Sequence, residues 1–292
     1  MIDKQPLIHR LCIIGVGLIG GSLAQALKQA SAVTEIVGAG RAEASLQKAL
    51  TLGVIDRYET ELATAVVDAD VVVVAVPLGA MFDVFAAIAK HLPESCVLTD
   101  VGSTKGSVLG DVRRAFGQAP ATFVPGHPIA GTEQSGVEAS FPELFRKRRV
   151  ILTPLVETDA SAHYLIRQMW EITGAEVVEM GVRHHDEVLA ATSHLPHVLA
   201  YALVDTLARL DDRAEIFRYA AGGFRDFTRI ASSDPQMWHD ICLANREPLL
   251  QVIEQFTHDL AYLVEAIRTG DNETIMAIFR RAKHARDNLY LE

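Results

Sequence analysis

A glycine-rich turn between an apolar strand and a helix constrains this chain more than any other feature. Leu11–Gly15 predicts a strand, and Gly15-Val16-Gly17-Leu18-Ile19-Gly20-Gly21 leads from it into a helix predicted over Ser22–Gln29. The first glycine permits a tight turn, the second lets a pyrophosphate approach the backbone, and the third allows close packing of helix on strand. Phosphates would then lie at the helix N-terminus. The motif predicts a dinucleotide site that includes Gly15, Gly17, Leu18, Ile19 and Gly20. The alternative is a glycine-rich turn without a ligand.

Apolar, β-branched segments alternate with helical periods through the first part of the chain. Helices are predicted over Arg41–Leu52 and Gly79–His91. The further predicted strands are Glu35–Ala39, Val71–Val76, Val97–Val101, Thr122–Pro125, Val150–Thr153 and Ala175–Met180. Such alternation implies right-handed crossovers and a parallel, doubly wound sheet of the Rossmann type.

After Gly181 only helical periods remain. Helices are predicted over Glu187–Leu210, Gln236–Arg268 and Glu273–Asn288. Asp234-Pro235 suits a helix start and Gly270 a helix stop. We therefore expect two domains: a dinucleotide-binding α/β domain over residues 1–181 and an all-helical domain over residues 182–292.

The composition restricts the possible partners and the compartment. A formal net charge of -10 argues against a nucleic-acid surface and against an anionic membrane. The three cysteines lie in apolar surroundings, as expected for free thiols in a reducing compartment. The first ten residues are polar and do not resemble a signal peptide, and no membrane-spanning window is free of charge and glycine. These features predict a cytoplasmic protein.

The end of the second predicted strand bears on the choice of cofactor. A carboxylate at this point would hold the ribose 2′-hydroxyl of NAD, but the sequence reads Val37-Gly38-Ala39-Gly40-Arg41. Arg41 is placed to receive a 2′-phosphate, which favours NADP over NAD; the alternative is a solvated arginine. Val76 and Pro77 lie at the end of the predicted strand Val71–Val76, so we expect them near the cofactor at the switch point of the sheet.

One histidine lies in a rigid Gly/Pro frame about a hundred residues after the glycine motif. The segment is Phe123-Val124-Pro125-Gly126-His127-Pro128-Ile129-Ala130-Gly131-Thr132-Glu133. Imidazole accepts protons near physiological pH without extreme tuning. A proton acceptor beside a hydride acceptor indicates a dehydrogenase.

Three more segments carry polar groups that packing does not explain. They are Thr99–Gly106, Ser193–His197 and Gly222–Ile230. Together with the His127 segment, and from about Leu11 to the C-terminus, they resemble the prephenate/arogenate dehydrogenase family of tyrosine biosynthesis. The resemblance implies oxidative decarboxylation of prephenate, arogenate or both, with hydride transfer to NAD(P)+, giving 4-hydroxyphenylpyruvate or tyrosine. It also implies a homodimer through the helical domain, and we expect a monofunctional form without a mutase or regulatory domain.

The resemblance also implies roles for individual residues. His127 accepts the proton of the C4 hydroxyl, and Ser103 orients His127; the alternative for Ser103 is a helix N-cap. Arg229 binds the ring carboxylate, or else pairs with Asp226 three residues earlier. Glu133 gates the entrance through charge pairing, or is a solvated loop acid.

The remaining implied contacts come from the helical region. His197 contacts the substrate, with His194 beside it, although either fits a core histidine. Trp238 forms a pocket wall, or is a core aromatic. The two histidines lack a Glu or Cys at ligand spacing, so no metal is predicted. Pro196 between them is expected to kink the helix and free a carbonyl group.

Two other functions stay open on the sequence. A β-hydroxyacid-type dehydrogenase would use a lysine of the helical domain, and Lys283 is the only lysine after Lys147. A non-catalytic dinucleotide sensor would need no histidine or arginine at fixed spacing. The apolar spacing over Met237–Ile267 predicts a long helix that packs against a second copy, or in a monomer against neighbouring helices.

Overall fold

The computed structural model describes residues 6–211 and 213–288. The chain divides into two compact units, Met1–Asn245 and Arg246–Glu292. The domain boundary predicted between residues 181 and 182 stays a prediction. The predicted domains also include residues 1–5, 212 and 289–292, which lie outside the described residues.

The first unit contains a six-stranded parallel sheet in the order β3-β2-β1-β4-β5-β6. Its strands are β1 Ile8–Ile14, β2 Val33–Ala39, β3 Arg57–Glu59, β4 Val71–Val74, β5 Val97–Asp100 and β6 Phe123–Val124. The order reverses between β1 and β4, and Ile14 is in register with both Ala39 and Val74. The predicted doubly wound sheet is confirmed, with its switch point at the carboxyl end of β1.

Helices cover both faces of this sheet because successive side chains of each strand point to opposite faces. The helices are α1 Leu18–Gln29, α2 Glu43–Thr51, α3 Leu62–Val66, α4 Met81–Ile88, α5 Lys105–Phe116 and α6 Ala160–Ile172. On β1, Leu11 and Ile13 join an apolar cluster that includes Trp170 of α6. Cys12 and Ile14 join a second cluster on the opposite face. Burial on both faces explains why the strands are continuous apolar runs.

A second, three-stranded sheet carries the histidine segment. It consists of β7 Gly126–Pro128, β8 Arg149–Leu152 and β9 Glu176–Glu179, with β7 antiparallel and β9 parallel to β8. The predicted strands Val150–Thr153 and Ala175–Met180 therefore exist, but they do not extend the main sheet. Pro125 follows β6, has no N–H to donate to a ladder, and separates β6 from β7.

The rest of the first unit is helical. It contains α7 Val182–Leu189, a π-helical turn Ala190–His194, α8 Leu195–Ala208, α9 Arg213–Arg218, α10 Gly222–Thr228, a 3₁₀ turn Arg229–Ser232 and α11 Pro235–Ala244. The single helix predicted over Glu187–Leu210 is wrong at the π-helical turn. That turn directly precedes Pro196, whose ring and missing N–H disturb the regular ladder. The predicted start of α11 is confirmed, since the Asp234 carboxylate caps its first turn.

The second unit consists of α12 Arg246–Thr269 and α13 Asn272–Asn288. The uninterrupted helix predicted over Gln236–Arg268 is wrong, because Asn245 leaves helical geometry between α11 and α12. Gly270 has φ +70°, which confirms the predicted helix stop. Within the described residues no helix is both long and apolar enough to cross a membrane.

Candidate active site

The three glycines of the turn after β1 occupy different environments. Gly15 has φ +98°, and a Cβ there would lie 2.5 Å from the carbonyl oxygen of Ala75. A Cβ on Gly20 would collide with the carbonyl oxygen of Gly15 and with Ile13. A Cβ on Gly17 would meet nothing within 4 Å. Gly15 and Gly20 are thus required by the fold, whereas Gly17 leaves space that a ligand can fill.

The N-terminus of α1 opens onto this space. Gly17 is its N-cap, no side chain caps the first turn, and that turn contains no acidic residue. Leu18 and Ile19 begin the helix, so their N–H groups belong to the unpaired first turn. Val76 and Pro77 line the same cleft, whose volume is about 580 Å³. An uncapped helix N-terminus beside an open glycine fits the pyrophosphate of a dinucleotide.

The cleft also contains basic side chains. Arg41 lines it, is exposed, and makes no hydrogen bond or ion pair with any residue that the structure describes. Lys48 of α2 also lines the cleft, and its Nζ lies 3.5 Å from the Glu138 carboxylate on the opposite wall. Ser45 is a further polar residue of the cleft lining. These groups can bind an anion.

His127 lies at the start of a buried hydrogen-bonded network. Its Nδ1 lies 2.9 Å from Nε2 of His185, and Nδ1 of His185 lies 2.8 Å from Oδ1 of Asp186. The Asp186 carboxylate also accepts the backbone N–H groups of Lys105 and Gly106, each at 2.8 Å. The second sheet and α7 thereby meet at the first turn of α5, and His127 is held by residues from a distant part of the chain.

A buried ion pair fixes the residue before His127. Nζ of Lys105 pairs with Oδ2 of Asp100 and donates to the carbonyl oxygen of Gly126 at 2.6 Å. Oδ1 of Asp100 accepts the N–H of Gly126 at 3.3 Å. Lys105 and Asp100 are fully buried. Both backbone groups of Gly126 are therefore held by charged partners, which restricts where the His127 ring lies.

Burial controls the protonation of this network. It holds the pKa of His127 well below the ordinary 6.5, and the cationic forms of His185, Lys105 and His194 lower it further. Burial also lowers the pKa of His185, against the opposing effect of Asp186. Burial alone would raise the pKa of Asp186. Hydrogen bonds from His185 and from two backbone N–H groups outweigh burial and hold this pKa below its usual range. Near neutral pH the two histidines are neutral and Asp186 is ionised.

Asn245 fixes the protonation of His194. Nδ2 of Asn245 donates to the carbonyl oxygen of Asp186 at 2.9 Å and lies 3.0 Å from Nδ1 of His194. Because a carbonyl oxygen only accepts, this end of Asn245 is the amide nitrogen. His194 then accepts at Nδ1 and carries its proton on Nε2. Burial lowers the pKa of His194 to about 4, so the ring is neutral at pH 7.

His197 and Trp238 form a stacked pair. Their ring centroids are 3.6 Å apart with an interplanar angle of 19°, and the His194 ring lies 6.1 Å from Trp238. Nδ1 of His197 donates to the carbonyl oxygen of Ser193 at 2.8 Å, which leaves Nε2 free. Trp238 is buried, and its Nε1 has no hydrogen-bond partner among the described residues.

Arg229 pairs with Glu133 rather than with Asp226. The ion pair joins Nη1 of Arg229 to Oε1 of Glu133, and both side chains are exposed. The pKa of Glu133 is lowered, first by a hydrogen bond from its own backbone and then by the hydrogen bond from Arg229. The Arg229 charge also contributes to the lowered pKa of His197, after burial. His194, His197 and Trp238 therefore form one group of rings, and Arg229 and Glu133 form an ion pair whose positive charge acts on His197.

Among the residues predicted to act in catalysis or to bind substrate, Ser103 alone makes none of these contacts. It lies in the loop between β5 and α5, partly buried, and its side chain makes no hydrogen bond with any described residue. The alternative of Ser103 as N-cap of α5 is wrong by one position, because Thr104 occupies it. The direct partner of His127 is His185, and the orienting role of Ser103 stays a prediction.

Two further sequence hypotheses concern other residues. Lys283 lies on α13 with three quarters of its side chain exposed and pairs with Asp287. It is thus a surface residue of the second unit. Among the residues in the described ranges, no three His, Cys, Asp or Glu side chains are grouped so that they could hold a metal ion.

Sequence reasoning assigned no role to His185 and did not single out Asp186 or Asn245. A signal for the first two was present: with Val182 and Leu189 they form an i, i+3, i+4, i+7 stripe, and all but Val182 are buried. Two ionisable residues on the apolar stripe of a helix indicate buried polar partners. Nothing local marks Asn245, whose partners lie 51 and 59 residues earlier.

Asp240 of α11 joins the cleft edge to the helix that carries Trp238. Its carboxylate lies against Gly79, two residues after Pro77 of the cleft lining. A Cβ on Gly79 would lie 2.8 Å from Asp240 Oδ2, so the close approach depends on glycine. This contact, also absent from the sequence prediction, connects the cofactor cleft to the histidine and tryptophan group.

Comparison with known proteins gives matches along most of the chain. The family model of the prephenate dehydrogenase nucleotide-binding domain matches residues 23–179, and that of the prephenate dehydrogenase dimerization domain matches residues 182–281. The cyclohexadienyl dehydrogenase of Zymomonas mobilis subsp. mobilis is 40% identical over 97% of this chain and 96% of its own length. The prephenate dehydrogenase of Bacillus subtilis is 35% identical over 96% of this chain and 76% of its own length.

A solved structure has the same fold throughout. The crystal structure of prephenate dehydrogenase from A. aeolicus, in complex with hydroxyphenyl propionate and NAD+, is 37% identical and has a TM-score of 0.90. The match covers 98% of this chain and 100% of that one. The likeness thus extends over both the α/β and the helical parts.

Proposed function

The chain belongs to the prephenate dehydrogenase family, and from this premise we propose how its side chains act in the reaction. The protein is an oxidoreductase of tyrosine biosynthesis that oxidatively decarboxylates prephenate, with NAD(P)+ as hydride acceptor. The C4 hydroxyl loses a proton, C4 loses a hydride, and the ring carboxylate leaves as CO₂. The bonding pair released from the carboxylate enters the ring, and aromatisation makes the step effectively irreversible.

His127 accepts the C4 hydroxyl proton and returns it to the same oxygen when the ring becomes aromatic. The observation that supports this role is a buried, neutral imidazole with 9% of its surface still exposed and its Nδ1 already hydrogen-bonded. A base must be neutral in order to accept a proton, and burial keeps His127 neutral at physiological pH. Ser103, on the loop before α5, orients His127 and contacts the same hydroxyl.

The glycine turn and the N-terminus of α1 hold the cofactor. Gly17 admits the pyrophosphate, and the backbone N–H groups at Leu18 and Ile19 lie at the positive end of the helix. Val76 and Pro77 border the cleft on the side of the switch point. When bound, the nicotinamide supplies the hydride acceptor. The protein's own part is to fix the cofactor against the sheet.

Arg229 binds the ring carboxylate. A guanidinium matches a carboxylate with two parallel hydrogen bonds and does not protonate it. In the structure the Glu133 carboxylate already forms an ion pair with Arg229. Substrate binding then exchanges one carboxylate for another, which makes Glu133 a gate. Since the ring carboxylate leaves as neutral CO₂, Arg229 contributes more to binding than to chemistry.

His197 contacts the substrate with His194 beside it, and Trp238 forms a wall of the pocket. His197 presents a free Nε2, and His194 presents an Nε2–H donor. The stacked Trp238 ring holds His197 in place. Prephenate carries a keto group in its side chain where arogenate carries an amine. We propose that the protein takes prephenate, arogenate or both.

NADP is the favoured cofactor. Arg41, Ser45 and Lys48 all line the cleft, and Arg41 has no partner among the described residues. A 2′-phosphate provides two negative charges and several acceptor oxygens for such a group. Because Glu138 holds Lys48 at 3.5 Å, the phosphate would compete with Glu138 for that lysine.

The protein acts as a cytoplasmic homodimer that pairs through its helical part, residues 182–292. The support for assembly is apolar surface on the second unit: α12 exposes Leu260, Tyr262 and Ile267, and α13 exposes Phe279. Two helices that expose this much apolar surface are stabilised by a further partner. The support for a reducing compartment is that Cys12 and Cys96 are buried free thiols.

Initial rates in a two-by-two grid test the function: prephenate or arogenate against NAD+ or NADP+, followed at the absorbance of the reduced nicotinamide. We expect activity with prephenate and the higher rate with NADP+. His127→Asn, assayed in parallel, should be inactive in every combination. A wild-type protein that binds the cofactor but is inactive in all four combinations of substrate and cofactor would contradict the proposed reaction.

A further inference from the structure

Asp186 is the fixed point of the network around His127. Its two carboxylate oxygens accept from the backbone N–H groups of Lys105 and Gly106, and Oδ1 also faces Nδ1 of His185. An ionised carboxylate has acceptors only. Nδ1 of His185 must therefore carry a proton and donate it to Asp186. The backbone of α5 holds the carboxylate, so this direction does not depend on a mobile side chain.

The direction of the first hydrogen bond decides the second. A neutral imidazole has one N–H and one acceptor nitrogen. With its proton on Nδ1, His185 presents Nε2 as an acceptor to His127, 2.9 Å away. Nδ1 of His127 must then donate, because two acceptors at this distance would repel. The remaining nitrogen of His127, Nε2, is left with a lone pair.

We propose that Asp186 and His185 act as positioning residues that hold His127 as its Nδ1–H tautomer, so that Nε2 can accept the substrate's hydroxyl proton. This tautomer is the less populated one for a histidine side chain in water, so the protein must impose it. Once His127 accepts the proton, Nδ1–H still donates to His185. No hydrogen bond in the network has to reverse during the reaction.

The network also excludes water from the side of His127 away from its exposed edge. His185 is fully buried and Asp186 nearly so. A bound water would serve either tautomer equally well, since it both donates and accepts. The buried pair of His185 and Asp186 allows only one direction of hydrogen bonding, so it accommodates only one tautomer of His127. The inference depends on the proposed role of His127 as proton acceptor, but the tautomer itself can be measured without activity.

The decisive measurement is nitrogen NMR of the full-length wild-type protein labelled with ¹⁵N in its histidine rings, near pH 7.5. Long-range proton–nitrogen correlation distinguishes a protonated from an unprotonated ring nitrogen. The His127 signals are those missing from the spectrum of His127→Asn. We expect protonated Nδ1 and unprotonated Nε2. A proton on Nε2, or rapid averaging of the two forms, would overturn the proposal.

Kinetics of two His185 variants test what the tautomer does. His185→Leu removes the acceptor, whereas the side-chain oxygen of His185→Gln can occupy the position of Nε2. We expect His185→Leu to lower kcat roughly 10- to 100-fold with KM changed less than about twofold. His185→Gln should recover most of that loss. The matched control is His184→Leu, the same change at the exposed neighbouring histidine, which should behave as wild type.

The outcomes separate this inference from the proposed function. Equal losses in His185→Leu and His185→Gln, or losses confined to KM, indicate only a packing role and contradict the proposal. If the wild-type enzyme is active and His127 carries its proton on Nε2, the positioning role fails and the function stands. If His127 is the Nδ1–H tautomer but no substrate is turned over, the function fails and the tautomer assignment stands.

Discussion

The Nδ1 atom of His127 on β7 lies 2.9 Å from Nε2 of His185 on α7, 58 residues further along the chain. The contact joins the α/β part of the first unit to its helical part at the proposed base. It leaves one ring nitrogen of His127 without a protein partner among the described residues. That nitrogen is the atom we expect to face the substrate hydroxyl, and several consequences can be measured.

Replacing the base should remove turnover and spare cofactor binding. We expect His127→Asn to lower kcat by about 10²- to 10⁴-fold, the usual contribution of general base catalysis. The cofactor cleft is built from the glycine turn and α2, so the Kd for NADP+, measured by fluorescence titration, should change less than about twofold. If instead Kd rises and kcat is kept, His127 is not the base.

The local motifs predicted the Rossmann sheet and the cofactor turn because their physics is local. Gly15 needs φ > 0 and Gly17 needs open space, whatever the rest of the chain does. Apolar β-branched runs between helical periods likewise specify a buried parallel sheet. What the pattern did not specify was which strands pair with which. β8 and β9 have the composition of the main strands but join β7 in a second sheet.

The polar network was beyond local reasoning for the same reason. Asp186 meets Lys105 across 81 residues, and Asn245 meets Asp186 across 59. Resemblance to a family identified the residues that would touch substrate, such as Arg229 and His197. It did not identify the residues that hold them. Partners distant in the chain are fixed only by the packing of helices on the sheet, and a single sequence does not encode that packing as a readable pattern.

The ion pair between Arg229 and Glu133 predicts opposite effects on substrate affinity. Charge-assisted hydrogen bonds contribute about 1.5–3 kcal/mol, so Arg229→Ala should raise KM for prephenate about 10- to 100-fold with a smaller effect on kcat. Glu133→Gln removes the competing carboxylate and should lower KM, by less than about fivefold.

Asp226→Asn is the matched control for this pair, since Asp226 has no contact with Arg229 in the structure. Its KM should equal that of the wild type in steady-state assays at fixed, saturating cofactor. A wild-type KM in Arg229→Ala together with collapsed turnover would rule out the carboxylate-binding role.

We expect the choice between NAD+ and NADP+ to depend on the cations that line the cleft. Arg41→Ala should raise KM for NADP+ about tenfold or more and leave KM for NAD+ within about twofold, because only NADP+ carries the 2′-phosphate. Arg148→Ala, at an exposed arginine that does not line the cleft, is the control. Equal effects of Arg41→Ala on both cofactors would show that Arg41 does not discriminate between them.

Assembly through the helical part can be tested at the apolar surface of α12. Ile267 is 59% exposed and Leu260 is 46% exposed. A charge there would be buried in a dimer at a cost, so Ile267→Asp should shift the mass found by light scattering from twice to once the chain mass of 31.8 kDa. Leu52→Asp, at a comparably exposed leucine of the first unit, should stay dimeric. A wild-type protein that is monomeric at micromolar concentration would contradict the dimer.

Acid should destabilise the fold through its buried histidines. The pKa values of His127, His185 and His194 are lower in the folded protein than the ordinary 6.5, mainly because of burial. Between these values and 6.5 the unfolded chain binds more protons than the folded one, so the free energy of unfolding falls as the pH falls. Above pH 6.5 this contribution to stability is fully present. For His194, with a pKa of about 4, the loss is on the order of 3 kcal/mol between pH 7 and pH 4.

Urea unfolding followed by circular dichroism at pH 7, 6 and 5 measures this slope. His194→Asn keeps an acceptor for Asn245 but cannot be protonated, so its stability should fall less steeply with acid than that of the wild type. His284→Gln, at an exposed histidine of α13 that is not part of the buried network, is the matched control and should keep the wild-type slope. Stability that stays constant or rises between pH 7 and pH 5 would mean that the buried histidines are not held neutral, and the proposed base would lose its physical support.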